Sequence, residues 1–304
     1  MTHDTPNETH VEADDRPEAA PTDAGRFLPG TGIEIVREPP VRGRYRHVLF
    51  DFDGTLSLIR EGWPQVMIPM MVEILLETPR HEPEEALYGI VEDFVMRLNG
   101  KQTIYQMMQL ADEVATRGGR PREPLAYKAM YHERLMNRIR RRRERLARDP
   151  SARESMLVPG SLDILDALAA RGLTLYVASG TDRHYVEEEV ALLGLGGTFG
   201  DRVYGALEAY ECFSKKQVIA QLLEANALSG DDLLAFGDGF VEIENTKAAG
   251  GTAVAVASDE AGRSGRPDPW KRRRLVGVGA DLVIPDFREW PALLAYLFPG
   301  ERSG

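Results

Sequence analysis

Apolar and polar residues follow two different spacings along this chain, and the change between them divides the sequence. Between residues 60 and 155, apolar residues recur every three or four positions, and Pro79, Pro83, Gly100 and Gly118 interrupt them. This period is that of an amphipathic α-helix, and prolines and glycines mark the ends of such helices. The pattern predicts four helices, at 66–77, 84–98, 104–117 and 124–148.

From residue 158 onward, helical segments alternate with short runs rich in apolar and β-branched residues. Strands separated by helices predict an α/β fold, in which a parallel sheet is covered on both faces. The expected strands are 47–52, 174–178, 233–236, 252–257 and 281–284, and the expected helices are 161–171, about 182–193, 215–225, 241–249 and 290–297. The all-helical block at 60–156 is therefore predicted to be an insertion after the first strand, a lid beside the site.

The first 40 residues have the composition of a tail. They contain nine acidic residues against three arginines and almost no aromatic residues. Such a segment buries too little apolar surface to offset the entropy that ordering removes. Residues 1–40 are predicted to be a disordered acidic tail, with disorder to about residue 32 and a short extended piece at 33–36.

Composition limits the class of protein. The 304 residues are 43% hydrophobic, enough for a real core, and no run approaches the ~20 apolar residues of a membrane span. The N-terminus lacks a basic start with an apolar stretch behind it. Cys212 is the single cysteine, which fits a reducing cytoplasm. The net charge of −11 argues against nucleic acid as the main partner. A cytoplasmic protein without membrane or nucleic-acid partners is expected, with its oligomeric state open.

Two carboxylates follow the first strand directly. The apolar run of residues 48–50 leads into Asp51 and Asp53, and Gly54 permits a sharp turn. Side chains two positions apart on a strand point the same way, and open α/β sheets bind ligands at the carboxyl ends of their strands. Two acids this close repel unless a cation or a shared proton lies between them. The pattern indicates a divalent metal site.

The end of the second core strand offers hydroxyl and backbone N–H groups. Ser179, Gly180 and Thr181 stand where this strand gives way to a helix, a good cradle for phosphate oxygens. The same residues also suit an ordinary helix start capped by Thr181 or Asp182.

Two more polar segments stand at element ends. Lys215 and Lys216 open a helix, where a lysine is usually solvated, and Asp238 follows the apolar run 233–236, with Glu242 one helical turn onward. An acid at a strand end fits a further metal ligand, and the second acid fits a carboxylate behind it. A plain strand–turn–helix junction is the alternative.

Together these four motifs resemble the haloacid dehalogenase-like (HAD) phosphohydrolase superfamily. The motifs, which are Asp-x-Asp-Gly-Thr, a serine after the second core strand, a lysine opening a helix, and Gly-Asp-x-x-x-acid, occur in the family's order. The resemblance covers residues 46–298 and is greatest to the phosphoglycolate or phosphoserine phosphatase-like branch. It implies a Rossmann-like core at 41–59 and 157–298 and a C1 helical cap at 60–156.

The resemblance also implies residue roles in Mg²⁺-dependent hydrolysis of a small phosphate monoester, for which a sugar phosphate is one option. Asp51 would be the nucleophile and form an aspartyl-phosphate, and Asp53 would be the general acid and base. Phosphate would be bound by Ser179, Gly180 and Lys215; Mg²⁺ by Asp51, Asp53 through its backbone carbonyl, and Asp238; Glu242 would stand in the second layer. The family's lysine position favours Lys215, with Lys216 as the alternative.

The cap should carry selectivity, and its residues are less informative. Arg60, Glu61 and Trp63 follow the first motif and are candidates for leaving-group contacts, although Trp63 is interpreted as a packing residue before a substrate contact. Two basic runs, at 138–145 and 270–274, are interpreted as solvated or salt-bridged helices, with a substrate-steering rim as the alternative.

Other functions remain open. A phosphomutase of the same superfamily would use Asp51 and Asp53 in the same way. Phosphonate cleavage needs a Schiff-base lysine in the cap, and the cap contains only Lys101 and Lys128. Dehalogenases do not have the second acid of the first motif, so the presence of Asp53 argues against dehalogenase chemistry. A regulatory or binding module on an inactive core is the non-enzymatic alternative.

Overall fold

The computed structural model describes residues 25–207, 214–226 and 229–300. Eight strands in these ranges form one sheet, in the order β1-β2-β8-β7-β6-β3-β4-β5. The strands are β1 (Arg26–Phe27), β2 (Glu34–Ile35), β3 (His47–Phe50), β4 (Thr174–Asp182), β5 (Val203–Ala206), β6 (Leu233–Gly237), β7 (Thr252–Val256) and β8 (Leu282–Ile284). The pairs from β8 to β5 are all parallel, whereas β1 and β2 add an antiparallel edge.

Eleven α-helices lie within the described residues. They are α1 (Pro64–Leu76), α2 (Glu84–Arg97), α3 (Thr103–Thr116), α4 (Pro124–Arg148), α5 (Ser161–Ala170), α6 (Arg183–Leu192), α7 (Gly196–Phe199), α8 (Lys215–Ala225), α9 (Phe240–Ala248), α10 (Pro269–Gly277) and α11 (Trp290–Leu297). Within the part of the chain that is described, no helix is both long and apolar enough to cross a membrane.

Helices α1 to α4 form the block inserted between β3 and β4. Their buried faces follow helical spacing; α4, for example, buries Tyr127, Tyr131, Leu135 and Ile139 at every fourth position. The predicted α/β fold with an inserted all-helical cap is confirmed. The domain boundaries at 59/60 and 156/157 stay predictions.

The N-terminal segment differs from the predicted tail. Residues 26–35 form β1 and β2 at the sheet edge, with Ile33 and Ile35 buried. Glu34 is also buried, and its carboxylate accepts hydrogen bonds of 2.6 and 2.5 Å from Arg272 of α10. Average composition over 40 residues hid two apolar positions and a charge whose partner lies more than 200 residues away. Residues 1–24 and Cys212 lie outside the described residues.

Aromatic packing holds the centre of the sheet. The rings of Phe50 on β3 and Phe236 on β6 stack with centroids 4.9 Å apart, and Phe287 meets both edge-on. Phe50 and Phe236 are also register partners, and the Asp51 N–H donates to the Phe236 carbonyl at 2.9 Å. This register brings the residues after β3 and β6 to one point on the carboxyl edge of the sheet.

Candidate active site

The first and last sequence motifs meet at this edge. One carboxylate oxygen from each of Asp51, Asp238 and Glu242 lies within 4.8 Å of the others. Lys215 reaches the same point, and its ammonium donates to Asp51 at 2.7 Å and to Glu242 at 2.8 Å. Ser214 caps α8 by accepting a hydrogen bond from the backbone of Gln217, which fixes the first turn that carries Lys215.

The two predicted lysines have different surroundings. Lys215 is buried in the site, whereas Lys216 is exposed. Burial alone would lower the pKa of Lys215, but the carboxylates of Asp51 and Glu242 outweigh it and raise that pKa above its usual value. Burial raises the pKa of Asp51 well above its usual range, and the Lys215 ammonium opposes this shift.

Asp53 lies between the second motif and the cap. Its Oδ2 accepts hydrogen bonds from Thr181 at 3.0 Å and from Ser179 at 3.3 Å. Its Oδ1 is buried and accepts no hydrogen bond from the described residues, and Arg60 Nε lies 3.7 Å from it. One carboxylate oxygen is thus held by hydroxyls, and the other keeps its capacity to carry or accept a proton.

The second motif is built differently from the predicted strand end. Strand β4 continues through Asp182, so Ser179, Gly180 and Thr181 belong to the end of the strand itself. The register of β4 against β5 shifts in this segment, between Ala178 and Asp182. The Thr181 N–H donates to the Ser179 hydroxyl at 3.0 Å. Asp182 precedes α6 but makes no capping hydrogen bond, and it pairs with Lys128 of the cap instead. The alternative of a plain capped helix start is therefore wrong for Asp182.

Asp238 is held on both oxygens. Thr55 donates to its Oδ1 at 3.3 Å and accepts from its backbone N–H at 3.0 Å. Gly54, with φ +75°, leaves room here, because a Cβ at that position would lie 2.2 Å from Asp238 Oδ2. Both oxygens of Glu242 are used as well, by Lys215 and by the backbone N–H of Gly239 at 2.6 Å.

The donor set fits Mg²⁺. Carboxylate oxygens on rigid strand ends, converging within a few ångströms, are the ligands that this ion binds in small number alongside water. Asp51 and Asp238 come from adjacent parallel strands, so their spacing is set by the sheet itself. The arrangement can hold a divalent cation beside the Asp51 carboxylate.

The cap closes over this group and leaves a cavity of about 90 Å³. The loop between α2 and α3 touches the core at two glycines: a Cβ on Gly180 would lie 2.7 Å from the Lys101 carbonyl, and one on Gly100 would lie 3.2 Å from Gly239 Cα. The cap contributes Trp63, Met67, Asn99, Lys101, Thr103 and Tyr131 to the cavity wall.

Sequence reasoning missed a buried ion pair at the wall of the cavity. Arg60 donates to both carboxylate oxygens of Glu189 on α6, at 3.0 and 2.9 Å. Both side chains are buried, and Arg60 also faces Asp53. Arg60 was a candidate for leaving-group contact from its position, but no local pattern marked Glu189, one of three consecutive glutamates on α6.

A third loop, after β7, was also missed. Its residues Ser258 and Glu260, together with Lys271 of α10, converge on Asp238: Lys271 donates to Asp238 at 2.7 Å, to Glu260 at 2.7 Å and to Ser258 at 3.0 Å. The position of Ser258 just after an apolar strand was an available signal. For Lys271 the sequence offered only the general interpretation of a solvated or salt-bridged basic run, which identified no partner.

The other basic run matches the salt-bridged interpretation at two positions. Arg142 of α4 donates to the carbonyls of Ile59 and Glu61 and pairs with the Glu61 carboxylate at 2.6 Å. Arg143 pairs with Glu188 of α6. These contacts join the last cap helix to the core.

Comparison with known families decides the class of this site. The family model of the haloacid dehalogenase-like hydrolases matches residues 45–250, which include all four motifs and the inserted helices. The chain belongs to this family. A comparison with curated proteins found no match.

Several solved structures share the fold of this hydrolase, and three of them have nearly equal TM-scores. A predicted phosphoglycolate phosphatase from Haemophilus somnus 129PT has a TM-score of 0.52 and 16% identity, and the match covers 82% of this chain and 98% of that one. A haloacid dehalogenase-like protein of unknown function from Agrobacterium tumefaciens C58 has a TM-score of 0.53 and 18% identity, and the match covers 83% of this chain and 98% of that one. A candidate β-phosphoglucomutase from Bacteroides vulgatus has a TM-score of 0.51 and 16% identity, and the match covers 83% of this chain and 90% of that one. At these identities the likeness establishes the fold.

Proposed function

We propose that this hydrolase is a Mg²⁺-dependent phosphatase that cleaves a small phosphate monoester through an aspartyl-phosphate on Asp51. The observation that carries the proposal is the meeting of Asp51, Lys215 and Asp238 at the floor of a cavity between the cap and the core, with Asp53 beside them. A nucleophilic carboxylate, a fixed cation and an acid–base group are the parts that such a reaction requires.

In the proposed first step, an Asp51 oxygen attacks phosphorus in line with the departing alcohol. The Lys215 ammonium, the Ser179 hydroxyl and the Gly180 backbone hold the phosphoryl oxygens, on which the transition-state charge resides. Asp53 donates the proton that the leaving oxygen needs. Its Oδ1 suits this transfer because hydroxyl donors occupy Oδ2 alone.

In the second step, the same Asp53 takes a proton from water as the water attacks the phosphoenzyme, which regenerates Asp51 and releases phosphate. Asp51, Asp238 and the backbone carbonyl of Asp53 would hold Mg²⁺, and Glu242 would act from behind through Lys215 and Gly239. When bound, the ion supplies positive charge against the transferring phosphoryl group.

The cavity supports a small substrate. The space of about 90 Å³ is partly open to solvent, so it limits the part of the substrate next to the phosphoryl group rather than the whole ester. Its cap wall combines the apolar side chains of Trp63 and Met67 with the polar Asn99 and Thr103 and the cationic Lys101. A short, polar phosphate ester fits this lining, with a sugar phosphate as one option. The single cysteine of the chain supports a cytoplasmic setting.

The proposal is tested by phosphate release from a panel of small phosphate esters, measured with Mg²⁺ and with excess chelator. We expect turnover with Mg²⁺ alone and none in the Asp51→Asn variant. Asp166→Asn, an exposed acid on α5, is the matched control and should keep full activity. A mutase would instead return the phosphoryl group to a sugar, so it would release little phosphate, and chromatography of the esters after incubation would show an isomer. Absence of both reactions would leave the binding-module alternative.

A further inference from the structure

The most unusual group beside the proposed metal site is the ammonium of Lys271. It lies in a cage of three oxygens, from Asp238 and Glu260 at 2.7 Å and from Ser258 at 3.0 Å. The Ser258 hydroxyl donates its own proton to the Gly54 carbonyl at 2.6 Å, so it can only accept from Lys271. All three N–H donors of the ammonium are therefore directed at oxygen atoms.

The cage is part of the fold. Asp268 caps α10 by accepting from the Lys271 backbone N–H at 2.8 Å, and the Asp268 N–H donates to the Ala257 carbonyl at 2.8 Å. These bonds close the loop after β7 and set the first turn of α10, from which Lys271 points back to the sheet edge. The Lys271 side chain is 10% exposed and that of Asp238 is 9% exposed.

The two carboxylates of this cage would repel each other without the lysine. Each lies one hydrogen-bond length from the same nitrogen, which puts both within the range at which like charges strongly disfavour joint ionisation. Carboxylates bridged in this way, one of them also a ligand of a first metal ion, are the donor set of two-metal phosphoryl-transfer sites. Here a side-chain cation bridges the two carboxylates.

We propose that the Lys271 ammonium is a tethered cation that fills a second cation site of the catalytic centre, so that the enzyme binds a single divalent ion. The inference rests on the proposed function for the first ion. Four carboxylates line the cavity, from Asp51, Asp53, Asp238 and Glu260, and that of Glu242 lies behind them on Lys215. Lys215 and Lys271 supply two positive charges, and the Arg60–Glu189 ion pair adds no net charge. One divalent ion brings the group close to neutrality. Without Lys271 the group would keep enough negative charge to bind a second divalent ion.

The experiment counts Mn²⁺ ions bound per chain by equilibrium dialysis and by electron paramagnetic resonance. The wild type should bind one ion, and Lys271→Met should bind two. The double variant Lys271→Met/Glu260→Gln removes a carboxylate from the vacated cage and should return to one. Lys247→Met is the control, because Lys247 pairs with Asp281 at 2.8 Å near the opposite edge of the sheet, and it should bind one.

The outcomes separate the two proposals. No bound ion in the wild type would contradict the metal centre of the proposed function. One ion in both the wild type and folded Lys271→Met, with equal affinity, would overturn the tethered-cation inference alone. If Lys271→Met does not fold without metal, Lys271→Gln provides the same count, and a count of one there would overturn the inference equally.

Discussion

The buried ion pair between Arg60 and Glu189 is the contact whose loss should be easiest to measure. It joins the segment after β3 to α6, and the two side chains are 8% and 0% exposed. Replacing Glu189 with Gln keeps the shape of the side chain but removes its charge. Arg60 would then keep its ion pair with Asp53, a single long contact at 3.7 Å.

The expected loss follows from this burial. Two unit charges roughly 4 Å apart interact by about 4 kcal/mol at an effective dielectric constant of about 20. Removing one partner of a buried pair destabilises proteins by about 3–5 kcal/mol, because the remaining charge stays desolvated. Glu189→Gln should therefore lower the free energy of unfolding by at least about 3 kcal/mol, and Tm by roughly 5 °C or more.

The measurement is urea and thermal unfolding of the wild type and matched variants. Glu188→Gln is the control: Glu188 is the preceding residue on α6, pairs with Arg143 and is 56% exposed, so its loss should be within about 1 kcal/mol. Arg60→Met/Glu189→Leu replaces both charges with apolar groups and should recover most of the stability. Equal stability of Glu189→Gln and Glu188→Gln would refute the reasoning.

Three further outcomes are expected. Lys215→Met should lower kcat by about 10²–10³-fold, whereas exposed Lys216→Met should leave it unchanged; equal losses in steady-state assays would contradict the assignment. Burial lowers the pKa of His132 to about 4. As pH falls from 6.5 toward 4, His132 is protonated in the unfolded chain but not yet in the folded protein, so the folded protein loses stability. The Tm advantage of the wild type over His132→Asn should therefore shrink over that range, and a constant Tm difference would contradict this prediction. Gly180→Ala should push the cap loop away and lower kcat/KM on the order of 10²-fold, whereas Gly196→Ala, with open space around it, should not.

Local patterns predicted the elements that carry the site. Helix α4 occupies 124–148 and α8 occupies 215–225, as expected, because apolar spacing and starting residues agree there. Strand β3 ends at residue 50 rather than 52, since the chain turns at the Asp-x-Asp motif. Strand β5 was missed because its residues, Val203–Ala206, include Gly205 and Ala206 and so form no strong apolar or β-branched run.

The charged contacts between distant segments could not be predicted. Glu34 pairs with Arg272, and Lys271 pairs with Asp238, across 238 and 33 residues of chain. Glu34 stands in an acidic segment and both bases stand in one basic run, and neither composition identifies a partner. Only the sheet order, which puts β2 and β7 on the same side of β6, brings such residues within ion-pair distance.

The covalent intermediate is the central claim, and one measurement tests it directly. The enzyme is mixed with a phosphate ester that it hydrolyses, and the reaction is quenched rapidly. Borohydride is then added, which reduces an aspartyl-phosphate to homoserine. Trypsin cleavage after Arg46 and Arg60 releases a peptide that contains both Asp51 and Asp53, and tandem mass spectrometry distinguishes them. We predict homoserine at position 51, dependent on substrate and absent from Asp51→Asn. Reduction at position 53, or no reduced residue during active turnover, would contradict the account.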